Sequence, residues 1–205
     1  TSQPPSDIRP PWVLQRTMQF LIQLLDRDDQ PFHNTYSFFW ERFRGINQDY
    51  STQDFFDEIQ LQSLEQISRF NILSQYILCE DEGFRGMSEK YNREQLTKSY
   101  VTLKRGYGLC RQAGIECPGE AEMHSFSLLL QLTDEKAVDI TLLPRHVFKS
   151  PEIQFAWKVY RAFSTDNFVQ FFRLVREDAT FLEACLLHRH FPSVRLRALK
   201  ILVKA

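Results

Sequence analysis

The sequence predicts an all-α protein built from stacked antiparallel helical hairpins. Apolar residues recur at helical spacing along most of the chain, and no convincing strand run appears. Only 7 of the 205 residues are Gly, whereas 18 are Phe. So few turn-forming residues argue against a sandwich or barrel of many short strands. We expect a single helical domain over residues 11–205, preceded by a flexible segment at residues 1–10.

Two helices are expected in the first quarter of the chain. The first follows Pro10 and Pro11, because proline suits the first turn of a helix. Its apolar residues recur at helical spacing and are Leu14, Met18, Leu21 and Leu25. The second helix carries an aromatic stripe over residues 36–43, and we expect this stripe to fill a helix interface as part of the core.

A third and a fourth helix complete the first half. The third is expected to begin near Asp54 and to end at the acidic run after Leu78. A loop from Gly83 to about Asn92 then leads to the fourth, whose apolar residues alternate at spacings of three and four. Gly114 is its expected C-cap, because glycine readily adopts the left-handed conformation that ends many helices.

The second half is expected to hold at least five more helices. Pro118 is expected to open one with Glu120 and Glu122 in its first turn, where the helix dipole favours acids. The later starts are expected at Ser150-Pro151, at Asp166 as a cap, after Asp178, and at Pro192 or Ser193. The last helix runs into an apolar C-terminus, which suggests a fragment of a longer protein.

A formal net charge of −1 hides an acidic front and a basic back. Residues 1–102 carry 10 Lys/Arg and 15 Asp/Glu, whereas residues 103–205 carry 15 and 11. We therefore weigh two interpretations of the basic residues: contact with RNA phosphates or an acidic partner, and an ordinary solvated helix face. The candidate contact residues are Arg195, Arg197, Lys200, Lys204, Arg173 and Arg176.

Metal and enzyme chemistry have little support. Cys185, His188 and His190 fall on one predicted helix at a spacing that cannot direct all three toward one ion, so we expect a core cysteine and two surface or cap histidines. Half of a calcium loop at residues 26–29 lacks the remaining ligands. No nucleophile elbow, phosphate loop or zinc-protease motif is present. We expect no catalytic residue, metal or cofactor.

Several segments together resemble the SAC-three/GANP family, named for germinal-centre-associated nuclear protein. The run from Phe39 to Asp49, with Gln53, is similar to its W-x-R-x-R-x-I-x-x-D-x-x-x-Q signature. The other similar segments are Glu65–Glu80, Cys117–Met123, Asn167–Val175, Ala184–His188 and Arg195–Leu199. Two positions depart from the family pattern: Met123 replaces the usual Phe, and Asn71 replaces the usual His.

The resemblance implies a PCI-type architecture of helical hairpins followed by a winged helix, which this chain does not reach. It also implies a scaffold subunit of the complex that couples transcription to mRNA export at the nuclear pore. The implied partners are a second PCI-domain subunit and a small acidic DSS-type protein. A centrin and a small ENY-type protein would bind regions outside this chain.

Three alternatives to the export scaffold remain. The first is an RNA-binding module acting through its basic C-terminal half. The other two are a smaller centrosomal family member with the same domain and a PCI scaffold of another complex. For the motif residues we expect a buried structural network that keeps the hairpins in register. Its members are Arg42, Arg44, Asp49, Gln53, Arg69, Glu120 and Glu122.

Overall fold

The structure is a computed structural model that describes residues 8–27, 30–53, 56–133 and 143–204, apart from the side chain of Lys204. Within these residues there are ten α-helices and no strand, which confirms the predicted all-α class. The helices are α1 Pro11–Leu25, α2 Phe32–Gln53, α3 Glu58–Ile77, α4 Met87–Gln112, α5 Glu120–Leu130, α6 Arg145–Phe148, α7 Pro151–Ser164, α8 Phe168–Glu177, α9 Phe181–His188 and α10 Phe191–Lys204.

The helices form two compact units. Unit 1 comprises Thr1–Ser74 and Leu78–Cys117, and unit 2 comprises Gln75–Ile77 and Pro118–Ala205. The expectation of one domain over residues 11–205 stays a prediction. Residues 1–7 of the expected flexible segment lie outside the described residues, whereas Arg9 is described and contacts α2.

Aromatic side chains of α2 fill the core of unit 1. Tyr36, Phe39 and Phe43 are all at most 8% exposed, so the expectation that this stripe is core is confirmed. The Phe43 ring lies 4.8 Å from that of Phe70 in an edge-on geometry, and the Tyr36 ring lies 5.2 Å from that of Phe84. Edge-to-face pairs at such distances are favoured by the ring quadrupoles.

The close contact between α3 and α4 in unit 1 depends on Gly106. A β-carbon at this position would lie 2.5 Å from Cδ2 of Leu61 and 2.9 Å from Cδ1 of Phe56. Both distances are below the van der Waals contact of two carbon atoms. Glycine is therefore needed here for close approach and not for an unusual backbone conformation.

Unit 2 packs α5 against α7 and α9 around its own apolar core. Leu129, Ala156, Val159 and Leu187 are fully buried, and Phe171 of α8 joins them. The helices α7, α8 and α9 are short, so packing of their apolar faces supplies most of their stability.

Some helix ends agree with the predictions. Gly114 has φ 74° and follows α4, and the Ile115 N–H donates to the Cys110 carbonyl at 2.8 Å. These are the features of a Schellman motif, so the predicted cap is confirmed. The Ser150 side chain also accepts from the Ile153 N–H at 3.4 Å and caps α7.

Two other expected starts are not those of the structure. The start expected near Asp54 lies outside the described residues, and helix α3 begins at Glu58, where the Asp57 carboxylate caps it by accepting from the Gln60 N–H at 2.7 Å. Asn167, not Asp166, caps α8, and its side chain accepts from the Gln170 N–H at 3.0 Å.

Helix α9 follows Asp178 as expected, with Thr180 as its N-cap. Two further boundaries differ, because α10 begins at Phe191 and α4 begins at Met87 inside the expected loop. The four-residue helix α6 was not predicted, because one turn is too short to show a period.

Candidate functional site

The α2 motif places a buried carboxylate against the segment before α1. Asp49 is 8% exposed, and its carboxylate lies 2.6 Å from Nε of Arg9. The Gln53 side-chain amide donates to the Arg9 carbonyl at 3.0 Å and to the Asp49 carbonyl at 3.1 Å. Asp49 and Gln53 therefore both contact the segment before α1, with Arg9 as the cation.

The two arginines of the motif lie outside this contact. Arg42 and Arg44 are exposed, and their guanidinium groups lie 5.4 Å from the Phe38 ring and 5.7 Å from the Trp40 ring. Each pair is spaced i, i+4, so that the arginine stacks on an aromatic residue one turn earlier. Arg44 projects from a different face of α2 than Asp49, and Arg42 is two turns away from it. Neither arginine joins the buried network that the sequence predicted.

A second buried carboxylate links α3 to α4. Glu65 is 7% exposed and accepts from the Tyr107 hydroxyl at 2.7 Å, while its other oxygen lies 3.6 Å from Arg69. Arg69 therefore has a structural partner one turn away on the same helix. We expect Glu65 and Tyr107 to fix how α3 and α4 pack within unit 1, because a buried carboxylate needs partners with defined geometry.

The two acids that open α5 have different environments. Glu120 is 6% exposed and lies 3.6 Å from Nε2 of His124, whereas Glu122 is half-buried. Both lie in the first turn, where a carboxylate is favoured by the helix dipole. Their role in a network stays a prediction.

Among the basic candidate residues, Arg197 contacts other residues of unit 2. Its guanidinium donates to the Phe163 carbonyl at 3.1 Å, pairs with Asp166, and lies 4.7 Å from the centre of the Phe163 ring. Asp166 itself has φ 54°, the left-handed region that few residues other than glycine adopt. Arg197 is thus a clamp on the turn between α7 and α8, which the sequence did not predict.

The other basic candidates remain at the surface. Arg195 is exposed and lies 5.7 Å from the rings of Phe172 and Phe191. Arg173 and Arg176 contact Gln170 and Glu177 on their own helix, each at 2.5 Å. Lys200 is exposed, and the side chain of Lys204 lies outside the described residues. A binding role for these residues stays a prediction.

Two buried titratable groups of unit 2, Glu183 and His190, make hydrogen bonds within the unit. Burial raises the pKa of Glu183, although the Thr180 N–H and hydroxyl donate to its carboxylate at 2.8 Å. Burial also lowers the pKa of His190 to about 4, and its Nε2 donates to the Leu129 carbonyl at 3.2 Å. His190 is therefore a core residue, contrary to the expectation of a surface or cap histidine. Cys185 is buried as expected.

Some structural partners were missed because they are distant along the chain. Arg9 lies 40 residues from Asp49, and Asp166 lies 31 residues from Arg197. The sequence did not single out Glu65, because polar residues such as Gln62, Ser68 and Arg69 lie within one turn of it on α3. Among the described residues, no group of three His, Cys, Asp or Glu is placed to hold a metal ion. In the same part of the chain, no helix has the length and apolar composition needed to cross a bilayer.

Comparison with known proteins connects these features to a family. The sequence profile of the SAC3/GANP family matches residues 1–205. The chain is 37% identical over 206 residues to SAC3 family protein B of Arabidopsis thaliana, covering 94% of this chain and 12% of the relative. It is 33% identical over 221 residues to SAC3 family protein 1 of Schizosaccharomyces pombe, covering 98% and 21%.

A third relative is Protein xmas of Drosophila melanogaster, 32% identical over 209 residues, covering 98% of this chain and 10% of the relative. The chain therefore spans between a tenth and about a fifth of the length of these relatives. The residues matched to the family include every motif segment that carried the resemblance, from Phe39 to Leu199. The chain belongs to the SAC3/GANP family.

Proposed function

We propose that the protein is a non-enzymatic scaffold subunit that couples transcription to mRNA export at the nuclear pore. The observation that carries this proposal is the family match over the whole chain. The proposed partners are a second PCI-domain subunit and a small acidic DSS-type protein at this domain. Centrin and an ENY-type protein would bind through regions outside this chain.

The use of the motif residues supports a scaffold. Asp49, Gln53 and Glu65 make hydrogen bonds between segments of unit 1. Arg197 clamps a turn of unit 2. Side chains used in this way hold helices in place and are not arranged around a substrate.

The apolar surface of α10 also supports a binding role. Five large apolar side chains are between 43% and 85% exposed there: Leu196, Leu199, Ile201, Leu202 and Val203. Contiguous exposed apolar residues on a soluble surface are typical of an interaction site.

Depletion of the full-length protein in its own cells tests the proposal. Hybridisation to poly(A) RNA should show nuclear accumulation, and the full-length protein should restore export, whereas a version without residues 11–205 should not. Affinity purification should also recover a PCI-domain subunit. A normal poly(A) distribution after depletion, with the protein at centrosomes, would favour the smaller centrosomal family member instead.

A further inference from the structure

A groove whose lining residues are mostly of polar types lies between α2 and α4 within unit 1. Its volume is about 540 Å³. Its lining residues are Arg44, Asn47, Gln48 and Ser51 on α2, and Gln95, Thr97, Lys98, Val101 and Thr102 on α4. Each lining segment spans seven residue steps, so the groove is about 10 Å long at a rise of 1.5 Å per residue.

The charge of this groove is entirely positive. Arg44 and Lys98 are the charged members of its lining, and none of the nine lining residues is acidic. In the part of the chain that the structure describes, neither cation forms an ion pair with a carboxylate, and both are exposed. Arg44 is held by its stacking on Trp40, so its guanidinium edge stays available for hydrogen bonds.

The neutral lining residues offer acceptors as well as donors. The hydroxyls of Ser51, Thr97 and Thr102 donate to carbonyls four residues earlier, at 2.8, 3.0 and 3.2 Å. Their oxygens therefore keep acceptor capacity. Three side-chain amides add both donors and acceptors. A ligand that fits must carry negative charge together with hydroxyl or N–H donors.

Positive charge continues along α4 beyond the groove. This helix has six Lys/Arg and two Asp/Glu, although it begins in the acidic front half of the chain. Its exposed cations include Lys90, Arg93 and Lys104. Tyr91 is 47% exposed and precedes Gln95 and Lys98 at spacings of four and seven, so it lies on the same side of α4 as the groove.

We propose that the groove between α2 and α4 binds single-stranded RNA. Arg44 and Lys98 would contact phosphates, and Tyr91 would stack on a base, as in other single-strand binding surfaces. The ribose 2′-hydroxyl is both donor and acceptor, so it matches the threonine and serine oxygens. An acidic peptide would use the two cations but would leave the aromatic ring without a partner. The site goes beyond the proposed function, because a scaffold could operate without it.

A matched pair of double variants tests the site in the 205-residue chain. Arg44→Gln with Lys98→Gln removes two charges from the groove. Arg195→Gln with Lys200→Gln removes two charges from α10, again from one arginine stacked on aromatic rings and one exposed lysine. The measurement is fluorescence anisotropy of a labelled single-stranded RNA of about 15 nucleotides, within the range of single-strand site sizes, at several salt concentrations.

The groove variant should bind at least about tenfold more weakly at low salt, and its log–log salt slope should fall by about 1.4, or 0.7 for each lost phosphate contact. The α10 variant removes two of the contacts that the sequence predicted, and it should lose clearly less affinity than the groove variant does. Tyr91→Ala should weaken binding by about tenfold, consistent with the loss of one stacked base. DNA of the same sequence should bind more weakly than RNA, because it lacks the 2′-hydroxyl.

Several results would overturn the proposal. These are no binding by the parent chain at low salt, equal loss in both double variants, or loss confined to the α10 variant. Tighter binding of a poly-glutamate peptide than of RNA, with the same loss in the groove variant, would assign the groove to an acidic protein segment. Melting temperatures control for folding, and Lys98→Gln alone serves if the double variant does not fold. None of these results bears on poly(A) export after depletion, so the two proposals fail independently.

Discussion

Two helices of this protein carry the same formal charge of +4 but use it differently. Helix α4 has six Lys/Arg and two Asp/Glu, and α10 has four Lys/Arg and no acid. On α4 the basic residues are exposed while Leu96 and Leu103 are 2% and 1% exposed. On α10 the relation is partly inverted, because Arg197 is half-buried whereas Leu199 and Leu202 are 59% and 61% exposed.

The difference shows that a count of basic residues does not locate a polar binding surface. Helix α4 buries apolar residues such as Leu96 and Leu103 in unit 1, while its basic side chains are exposed and Lys98 lines the groove. Helix α10 is anchored in unit 2 by Phe191, Val194 and the Arg197 clamp, whereas its large apolar residues from Leu196 onward are exposed. We therefore expect α4 to present a charged surface and α10 an apolar one.

The largest expected contrast concerns one leucine from each helix. Leu103→Ala should lower the free energy of unfolding by about 2–5 kcal/mol, because it removes a fully buried side chain from the core. Leu199→Ala should change it by less than about 0.5 kcal/mol, since the side chain is mostly exposed. Urea denaturation of both variants measures the difference. Equal destabilisation would contradict the contrast between the helices.

The second effect concerns acid sensitivity next to α10. His190 has a pKa of about 4 in the folded chain, below the ordinary value of 6.5, chiefly because of burial. The unfolded chain therefore binds this proton first, so the contribution of neutral His190 is fully present above about pH 6.5 and is lost as pH falls toward 4. The loss should reach about 3 kcal/mol at the acidic end. Stability measured from pH 7 to pH 4 in the parent and in His190→Gln should diverge over this window.

A flat difference between His190→Gln and the parent across that range would mean that the folded chain protonates this imidazole as readily as the unfolded chain does, so that its pKa is not lowered by folding. An NMR titration of the His190 ring would provide the direct check.

The third effect compares the loss of one cation from α10, Arg197, with the loss of one from α4, Lys98. Arg197→Gln should destabilise the chain by about 1–2 kcal/mol, since it removes a ring contact and weakens the bond to the Phe163 carbonyl. Lys98→Gln should change stability by less than about 0.5 kcal/mol. Thermal unfolding of the two single variants measures both.

The smallest effect concerns the turn that Arg197 clamps. Asp166→Gly relieves a left-handed conformation but removes a half-exposed ion pair, two opposing effects of about 1 kcal/mol or less each. The net change in unfolding free energy should be near zero. Asp166→Ala keeps the strain and loses the pair, so it should be clearly less stable than the glycine variant. Identical stability of the two variants would show that the backbone conformation carries no strain.

The sequence predicted features that depend on local spacing. The course of α1 and α4, the core role of the α2 aromatic stripe and the cap at Gly114 all follow from periodicity or from one residue's backbone preference. The sequence was less decisive between two neighbouring residues that could both cap a helix. Asp166 and Asn167 are both good caps, and the choice of Asn167 follows from the engagement of Asp166 by a distant arginine.

The candidate site was less accessible to sequence reasoning, because its properties arise between helices. Arg44 was expected in a buried network with Asp49, but the two residues lie on different faces of α2 and Arg9 occupies the partner position. The basic α4 was overlooked, since a division at residue 102 split its charge between an acidic and a basic half. Alignment of its face with that of α2 becomes visible only in the folded chain.

Gly106 has a consequence for how this chain can vary. The space for a β-carbon is filled by Leu61 and Phe56, so even alanine would collide there unless one of these side chains moves. The two sides of this contact are therefore coupled: a larger residue at position 106 requires a smaller or displaced side chain at position 61, together with a shift of Phe56. We expect natural sequences of this family to show compensating changes at the two positions, with glycine retained wherever leucine is.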